Sequence, residues 1–197
     1  MEFANKKKLL IAAISLFAEY GYDKISIRDI AKKAKVNSAM ISYYFGSKQQ
    51  LYDAAIEKQA GELRIFNSSK MLQHSPREIL KLYADTLQKI HTTNPTLMKF
   101  ICWEFMTPSN HPETFIKQRL QQVYSLLSQA IINGVKEGIF RKNLDIHSTV
   151  IALVGIINFY YISRNLHIRV SCIKDDDEKY MLNAMEIFFI GIERKSQ

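Results

Sequence analysis

Positions 37 to 48, NSAMISYYFGSK, concentrate side chains that suit contact with an anionic polymer. Tyr43, Tyr44 and Phe45 are consecutive, and successive residues of a helix point about 100° apart, so the three rings do not all face one core. A phenol donates a hydrogen bond to a phosphate oxygen, and Lys48 adds a positive charge. At least one of the three rings is therefore expected to be exposed, close in sequence to a cation.

The positive charge of the chain is concentrated around this stretch. Residues 1 to 50 hold nine Lys or Arg against four Asp or Glu, so they carry +5 of the formal net charge of +8. Such asymmetry is typical of proteins that bind nucleic acid or an anionic membrane surface. A solvated Lys-rich face is the alternative on charge alone, so a motif must decide between them.

Composition argues against several other classes. With 197 residues, 47% hydrophobic and 23% charged, the chain is predicted to fold around a core. Cys102 and Cys172 stand apart without a CxxC pair, so neither a metal site nor a disulfide is predicted. The basic N-terminus lacks a cleavage pattern, and the apolar stretch 146–162 falls short of the roughly 20 residues of a membrane span. We predict a cytoplasmic protein with no cofactor, no metal and no membrane partner.

Catalytic patterns are missing from the sequence. No HExxH pattern, nucleophile elbow or paired acid site is present, and the five histidines are scattered. An enzyme is therefore not predicted. The histidines are His74, His91, His111, His147 and His167.

Local signals predict short helices around the 37–48 stretch. Apolar residues at helical spacing indicate a first helix between Asn5 and Tyr20. Capping boxes at Ser26 and Ser47 open the second and fourth helices. Asn37 can cap the third helix through its side-chain oxygen. Tyr43 and Tyr44 are thus predicted at the end of the third helix, and Lys48 at the start of the fourth.

The rest of the chain is predicted to be helical as well. The fourth helix is expected to run on as one long helix that includes Phe66. Helices five to nine begin at cap or proline signals, which are Ser75 with Pro76, Asn94 with Pro95, Pro112, Asp145 and the acidic run 175–178. We predict an all-α fold of about nine helices, with a head over residues 1–46 and a connecting helix plus body over residues 47–197.

The second and third predicted helices have the organisation of a DNA reader. Both are short, a tight turn joins them, and they follow a longer helix in the most basic part of the chain. This pattern is typical of a helix-turn-helix DNA-binding unit. A three-helix bundle with a solvated charged face is the alternative.

Positions 12 to 52 resemble the DNA-binding head of the TetR family of bacterial transcriptional regulators, with the sequence AAISLFAEYGYDKISIRDIAKKAKVNSAMISYYFGSKQQLY. The LF pair followed by a glycine, the IA pair at 30 and 31, Val36 and the run YYFGSK fall in register with that family. The remaining chain is similar in helix count and length rather than in motif. The resemblance implies that the third helix is the recognition helix and enters the major groove.

The resemblance places candidate DNA contacts on the head. Arg28 matches a position that reaches a base or a phosphate, with an ordinary surface arginine as the alternative. Asn37 lies at the end of the third helix that faces base edges, although it can also act only as a cap. The candidates are Arg28, Asn37, Ser38, Ala39, Met40, Ser42, Tyr43, Tyr44 and Lys48.

Two positions of the head depart from the family pattern. The family often has glycine where this chain has Lys35, which bears on the geometry of the turn. It often has tyrosine where this chain has Ser42, so any phosphate contact there has a shorter reach.

The sixth helix, PTLMKFICWEFMT, is apolar nearly all round and is expected to be buried. The resemblance implies a pocket for a small, largely apolar effector in the body, while ordinary core packing is the alternative for each side chain. Glu104 is costly to bury unpaired, so it needs a partner: Arg119, Arg164, a histidine, or the effector. The pocket candidates are Phe100, Trp103, Glu104 and Tyr124.

Small residues on the last two helices permit close helix crossing. The resemblance implies that two such helices from each chain form a four-helix homodimer interface, whose two-fold axis matches a palindromic operator. Packing within one chain is the alternative. The interface candidates are Ala152, Gly155, Phe159, Ala184, Phe188 and Gly191.

The function implied by the resemblance is ligand-responsive regulation of transcription. We expect a repressor that binds double-stranded operator DNA as a homodimer and is released by its effector. The alternatives are a DNA-binding regulator whose body binds a protein partner or no ligand, and an activator that uses the same head.

Overall fold

The computed structural model describes residues 2–67, 71, 73–106, 115–171 and 176–194. Within these ranges it contains no strand, and one isolated antiparallel bridge pairs Phe140 with Glu193. The all-α prediction is confirmed. The described helices are α1 (Glu2–Tyr20), α2 (Ile27–Ala34), α3 (Ala39–Phe45), α4 (Lys48–Gln59), a 3-10 helix (Ala60–Asn67), α5 (Pro76–Thr93), α6 (Pro95–Met106), α7 (Phe115–Lys136), α8 (Ile146–Ser171) and α9 (Asp177–Ile192).

The predicted capping box at Ser26 is formed, and Ser47 forms the half of its predicted box in which its side chain accepts a hydrogen bond. Ser26 accepts from the backbone N–H of Asp29 at 3.2 Å, and a carboxylate oxygen of Asp29 accepts from the backbone N–H of Ser26 at 2.9 Å. Ser47 accepts from the N–H of Gln50 at 3.1 Å. These bonds satisfy donors that the first turn of a helix leaves without a helical partner, and they fix where α2 and α4 begin.

Caps also set the start of the later helices. Asn94, Asp145 and Asp176 each accept from the backbone N–H three residues further on, at 3.1, 2.7 and 2.9 Å. Ser75 forms a reciprocal pair with Glu78 at the start of α5. The predicted start of the seventh helix at Pro112 and the first acid of the run 175–178 lie outside the described residues.

The predicted long fourth helix is wrong beyond Gln59, because the chain continues there as a 3-10 helix. Among the residues of this segment whose side chains the structure describes, Ala60, Leu63 and Phe66 are buried. They are spaced by three, which places them in line on a helix with 3.0 residues per turn but spreads them over an arc of about 120° on an α-helix. Gly61 also has a low α-helix propensity. Burial of the three apolar residues therefore favours the tighter helix.

The chain divides into two compact units, residues 1–64 with 94–121, and residues 65–93 with 122–197. In the first unit, α1 packs against α2, α3, α4 and α6. Its core contains fully buried side chains from each of these helices, among them Leu9, Phe17, Ile30, Ile41, Leu51, Ile56, Leu97 and Phe100. The predicted boundary at residue 46 separates a DNA-binding head from an effector-binding body. The compact units do not test this functional division, so it stays a prediction.

The second unit is built from α5, α8, α9 and most of α7. The backbone N–H of Arg141 donates to the carbonyl of Ile192 at 2.9 Å, and that of Arg194 donates to Ile139 at 3.1 Å, so the end of α9 is fastened to the segment after α7. A Cβ added at Gly134 would overlap the ring of Phe140, which is fully buried there. Glycine is thus required for this close approach.

One stretch of α8 is long and apolar enough to cross a membrane by length and composition. It runs from Ile146 to Ser163, and 22% of it is buried inside the chain. A single such helix is weak evidence for a membrane span, because helices that pack against other protein surfaces have the same composition.

Candidate nucleic-acid interface

The candidate interface is the outer side of α2, the following turn and α3. Inward, α2 buries Ile30, Ala31 and Ala34, and α3 buries Ile41. These apolar contacts hold both helices against the rest of the first unit. The polar sides of both helices are therefore left facing solvent.

The turn between α2 and α3 has a left-handed residue that is not glycine. Lys35 has φ 56° and ψ 46°. Its backbone N–H donates to Lys32 at 3.2 Å, and the N–H of Val36 donates to Ala31 at 3.1 Å, which closes the end of α2. The lysine that departs from the family pattern therefore adopts the conformation that favours glycine, and the turn is kept.

Asn37 has a structural role at the start of α3. Its side-chain oxygen accepts from the backbone N–H of Ala39 at 2.8 Å, whereas the side chain of Ser38 makes no cap. Bidentate readout of adenine needs both the oxygen and the amide nitrogen of an asparagine. One lone pair of the oxygen is therefore engaged in the cap, which leaves the second lone pair and the amide N–H groups for a base.

The predicted contacts differ in exposure. Tyr43 is the most open of the large apolar or aromatic residues near the turn, with 70% of its surface exposed. Arg28, Asn37, Ala39 and Ser42 are also exposed, and Ser38, Met40, Tyr44 and Lys48 are partly buried. All nine lie in the first unit, on α2, on the turn and α3, or at the start of α4.

The three consecutive rings point in different directions, as their spacing predicted. The rings of Tyr43 and Tyr44 are 5.0 Å apart at 72°. Phe45 is partly buried, and the ammonium group of Lys6 lies 5.6 Å from its ring centroid. Gly46 then turns the chain with φ 82°, and a Cβ there would overlap the side chain of Gln50. The turn places Ser47 and Lys48 directly after the aromatic run.

Lys48 contacts an aromatic residue that sequence reasoning missed. Its Nζ lies 4.0 Å from the ring centroid of Tyr22, and burial lowers the pKa of Lys48 while the charge of Asp23 opposes that shift. Tyr22 follows Gly21 in the loop after α1, and its position in sequence gave no sign of this contact. The three residues come from two segments that meet only in the folded chain.

Further positive charge surrounds the interface. Exposed lysines of the first unit include Lys6, Lys7 and Lys8 on α1, and Lys32, Lys33 and Lys35 at the end of α2. Lys33 donates to the hydroxyl of Ser15 at 2.9 Å. Among the described residues, no group of three or more His, Cys, Asp or Glu forms a metal site. The local chemistry suits a polyanion rather than a metal.

The effector-pocket candidates are not gathered in one compact unit. In the first unit, Phe100 is fully buried with its ring 5.7 Å from that of Tyr52. Trp103 donates from Nε1 to the carbonyl of Ala18 at 3.1 Å. In the second unit, the hydroxyl of Tyr124 lies 3.0 Å from Nδ1 of His147. The side chains of Glu104 and of its possible partner Arg164 lie outside the described residues.

The second unit contains a polar cluster that the sequence did not reveal. Nε2 of His91 lies 3.0 Å from the side-chain oxygen of Asn158, and the imidazole stacks on Tyr161 at 4.0 Å and 12°. Burial lowers the pKa of His91, and the hydrogen bond to Asn158 and the charge of Asp177 oppose that shift. Tyr83 also bonds Asn158, and its burial raises its pKa.

The predicted dimer residues fall into two groups. Ala152, Gly155, Phe159 and Gly191 are exposed, whereas Ala184 and Phe188 are buried in the core of the second unit. The sequence could not separate them because α9 is apolar on several sides. Other apolar residues on α8 and α9 that are at least half exposed are Ile151, Ile162, Leu182, Ile187 and Ile190.

A surface groove of about 500 Å³ lies between α5 and α9. Arg77 is among its lining residues; its Nε donates to Glu193 at 2.6 Å, and its guanidinium lies 4.3 Å from the ring centroid of Phe189. Phe100, Trp103 and Tyr124, the predicted effector residues whose side chains the structure describes, do not line this groove. Its lining is Arg77, Lys81, Asp85, Gln88, Glu178, Met181, Leu182, Met185, Glu186 and Phe189.

The fold of the first unit, with two short helices around a closed turn and an exposed basic surface, defines a helix-turn-helix DNA-binding protein. The family described as "Bacterial regulatory proteins, tetR family" matches residues 9–55, and "Tetracyclin repressor-like, C-terminal domain" matches residues 76–190. The second match alone covers more than half of the chain. The chain belongs to the TetR family of bacterial transcriptional regulators, which is a family of DNA-binding regulators and not of enzymes.

Individual relatives agree with this assignment. The dual regulator CecR of Shigella flexneri is 30% identical over 191 residues, 88% of this chain and 83% of the relative. The repressor SCO4008 of Streptomyces coelicolor is 26% identical over 156 residues, 79% of this chain and 78% of the relative. The crystal structure of HlyIIR, a hemolysin II transcriptional regulator, has a TM-score of 0.71 at 24% identity and covers 99% of this chain and 100% of that one. The structural likeness extends the fold assignment over both units.

Proposed function

We propose that this TetR-family regulator represses transcription in the cytoplasm by binding a palindromic operator as a homodimer, and that a small, largely apolar effector releases it. The observation that carries the proposal is the exposed side of α3, which continues into Tyr43, Tyr44 and Lys48. This side presents phenols, a hydroxyl and a cation to solvent while Ile41 anchors the helix. The repressor SCO4008 is among the relatives, which supports repression.

Contacts to DNA are proposed to divide between positioning and reading. Tyr43, Tyr44, Ser42 and Lys48 donate to phosphates, which fixes the protein on the duplex without reading its sequence. Ala39 and Met40 offer apolar contacts to the methyl group of thymine, and Arg28 suits a guanine or a phosphate. Asn37 and Ser38 add donors at the start of α3. The affinity for DNA should therefore depend strongly on salt concentration. The preference for a particular DNA sequence should depend on the few side chains that contact bases.

The operator proposal is tested by selecting fragments from a random DNA pool with the purified protein. We expect two inverted half-sites whose centres are about 10 base pairs, or a multiple of that spacing, apart. Met40→Ala should change the selected bases, whereas Lys48→Ala should weaken binding to all sequences about equally. Identical selection by both variants and the wild type would refute the proposed division of roles.

Homodimer formation is supported by the apolar face of α8 and α9. Ala152, Gly155, Phe159 and Gly191 lie among isoleucines that are more than half exposed, and an added Cβ at Gly155 or Gly191 meets no atom within 4 Å. Such a face fits close packing against a second copy, and it accounts for the apolar α8 stretch without a membrane. Ala184 and Phe188 are proposed to support this face from below.

The dimer proposal is tested by Phe159→Glu, with Asn143→Glu in the exposed loop before α8 as the control. We expect Phe159→Glu to shift the mass measured by light scattering towards the monomer and to abolish operator binding. The control should remain dimeric. A monomeric wild-type protein that binds the selected operator would contradict the proposal.

Release by an effector is supported by family membership. Phe100, Trp103, Glu104 and Tyr124 stay the proposed contacts, and the groove between α5 and α9 does not include those whose side chains the structure describes. A screen of apolar compounds should find some that raise the melting temperature and weaken operator binding, because a ligand stabilises the state it binds. If compounds stabilise the protein and leave operator affinity constant, the release mechanism is wrong.

Activation is a second candidate, because the relative CecR is a dual regulator. The same head would bind the operator in both cases. Whether binding represses or activates transcription would therefore depend on where the operator lies relative to the promoter. Transcription from a promoter carrying the selected operator should fall when the protein is added. A rise would support activation instead.

A further inference from the structure

We propose that Tyr22 is a positioning residue that holds the ammonium group of Lys48 at the DNA-facing edge of the first unit. The proposal rests on the proposed phosphate contact of Lys48. Tyr22 itself is not required to touch DNA. Its ring acts as a platform that restricts where the lysine charge can lie.

The contact between the two side chains has the geometry of a cation on an aromatic face. Nζ of Lys48 lies 4.0 Å from the ring centroid of Tyr22, well inside the roughly 6 Å at which such pairs attract. Burial lowers the pKa of Lys48 and the nearby charge of Asp23 raises it. The ring therefore contacts a charged group that is partly withdrawn from water, where the attraction is stronger than at an open surface.

The ring of Tyr22 is itself fixed by two buried aromatic residues. Its centroid is 5.8 Å from that of Phe17 with an interplanar angle of 29°, and 4.9 Å from that of Tyr52 at 62°. Phe17 and Tyr52 also contact each other edge to face at 5.1 Å, and they are 0% and 2% exposed. A platform supported in this way cannot turn freely.

A fixed platform matters because lysine is a flexible side chain. Four rotatable bonds separate its charge from the backbone, and ordering them on binding costs entropy. Lys48 is the first residue of α4, whose start Ser47 caps, so the backbone at this point is also fixed. Ordering the side chain before DNA arrives removes part of the entropic cost of the phosphate contact.

Tyr22 also contributes to packing, so the test must separate packing from positioning. The two exchanges are Tyr22→Leu, which removes the aromatic face, and Tyr22→Phe, which keeps it. Each is made alone and together with Lys48→Ala. The control is Tyr20→Leu, which alters an exposed tyrosine that is hydrogen-bonded to the preceding residue, Glu19.

The measurement is the affinity of the full-length protein for a fluorescent random-sequence duplex of about 30 base pairs, which spans two half-sites. It is repeated over a series of salt concentrations. Tyr22→Leu should weaken binding roughly two- to five-fold, as expected when a lysine side chain must be ordered on binding instead of beforehand. The slope of log affinity against log salt should fall by up to about 0.9 for each protomer, the value for one phosphate contact.

Three comparisons support or overturn the proposal. Tyr22→Phe should retain wild-type affinity and slope, and Tyr20→Leu should change neither. In the Lys48→Ala background, Tyr22→Leu should have no further effect on either quantity. An equal loss with and without Lys48, or a loss with an unchanged slope, would assign Tyr22 to packing alone and overturn the proposal, whatever its effect on melting temperature.

Failure of the underlying function has a different signature. If Lys48→Ala leaves affinity and salt slope at wild-type values, the phosphate contact of Lys48 is refuted and the positioning role with it. If the wild-type protein binds neither this duplex nor any selected fragment, the proposed DNA-binding function itself fails.

Discussion

Each compact unit has an aromatic cluster that contacts a basic side chain, but the two basic side chains differ in burial. In the first unit, Tyr22 supports the ammonium group of Lys48 at the surface. In the second unit, Tyr161 stacks on His91, whose imidazole is bonded to Asn158 and whose pKa is lowered by burial. The same type of ring can thus contact a charged group near the surface or a buried group whose charged form is disfavoured. The difference lies in how much water reaches the basic group.

The largest expected loss of stability follows from removing Phe100, a buried residue beneath the first cluster. Phe100 is fully buried and contacts Tyr52, which in turn supports Tyr22. Phe100→Ala should lower the free energy of unfolding by about 3–5 kcal/mol, through lost burial and the cavity left behind. Urea denaturation measures the change. Tyr43→Ala, at a position 70% exposed, should stay within about 0.5 kcal/mol of wild type, and a similar loss for both would contradict the assigned burial.

The next largest loss of stability is expected from a substitution that removes hydrogen bonds of the second cluster. Asn158 bonds both His91 and Tyr83, so Asn158→Leu leaves buried polar groups without this partner. We expect a loss of about 1–3 kcal/mol in the free energy of unfolding. Asn143→Leu, in an exposed loop, is the control. Equal stability of Asn158→Leu and wild type would show that the cluster does not depend on this amide.

A smaller effect, of opposite sign, is expected at the turn of the head. Lys35 has a left-handed backbone that costs an ordinary residue about 1 kcal/mol, so Lys35→Gly should raise the free energy of unfolding by about that amount. Lys32→Gly, inside α2, should lower it by a similar amount because glycine disfavours helix interiors. Thermal melting of the two variants would show opposite shifts, and shifts of the same sign would contradict the turn geometry.

The smallest effect is the dependence of stability on pH between 7 and 6. The pKa of His91 is lowered from 6.5 in the folded state, so the unfolded chain takes up a proton first as pH falls. Stability contributed by the neutral imidazole is therefore complete above the unfolded pKa and is lost as pH falls towards the folded one.

This prediction is checked by melting temperatures of the wild type and His91→Gln over a pH series. The wild type should lose stability below pH 6.5 more steeply than the variant. Parallel curves would mean that His91 is not the group responsible. The onset belongs to the unfolded imidazole, which begins to protonate in this range.

Much of the first unit was predictable because its signals are local. Ser26 with Asp29 and Ser47 with Gln50 are separated by three residues, and the caps they form depend on little beyond that spacing. The aromatic run was predictable for the same reason, since helical geometry alone separates Tyr43 from Phe45. The contact of Tyr22 with Lys48 was not predictable, because it joins segments 26 residues apart through the packing of α1 on α4.

The second unit was less predictable because its helices are apolar on more than one side. On α9, Ile187 is exposed while its neighbour Phe188 is buried, and both residue types are equally suited to a core. His91 and Asn158 are 67 residues apart, so their hydrogen bond follows from tertiary packing and not from a motif. The helices themselves were found from their caps, but the orientation of each apolar face required the fold.

The 3-10 helix after α4 also fixes a length. A residue advances about 2.0 Å along a 3-10 helix and 1.5 Å along an α-helix. The eight residues of Ala60–Asn67 therefore extend about 16 Å instead of about 12 Å. Exchange between the two hydrogen-bond patterns alters the reach of this segment by about 4 Å, slightly more than the 3.4 Å rise of one DNA base pair. This change in length requires only that the backbone hydrogen bonds within these eight residues change partners.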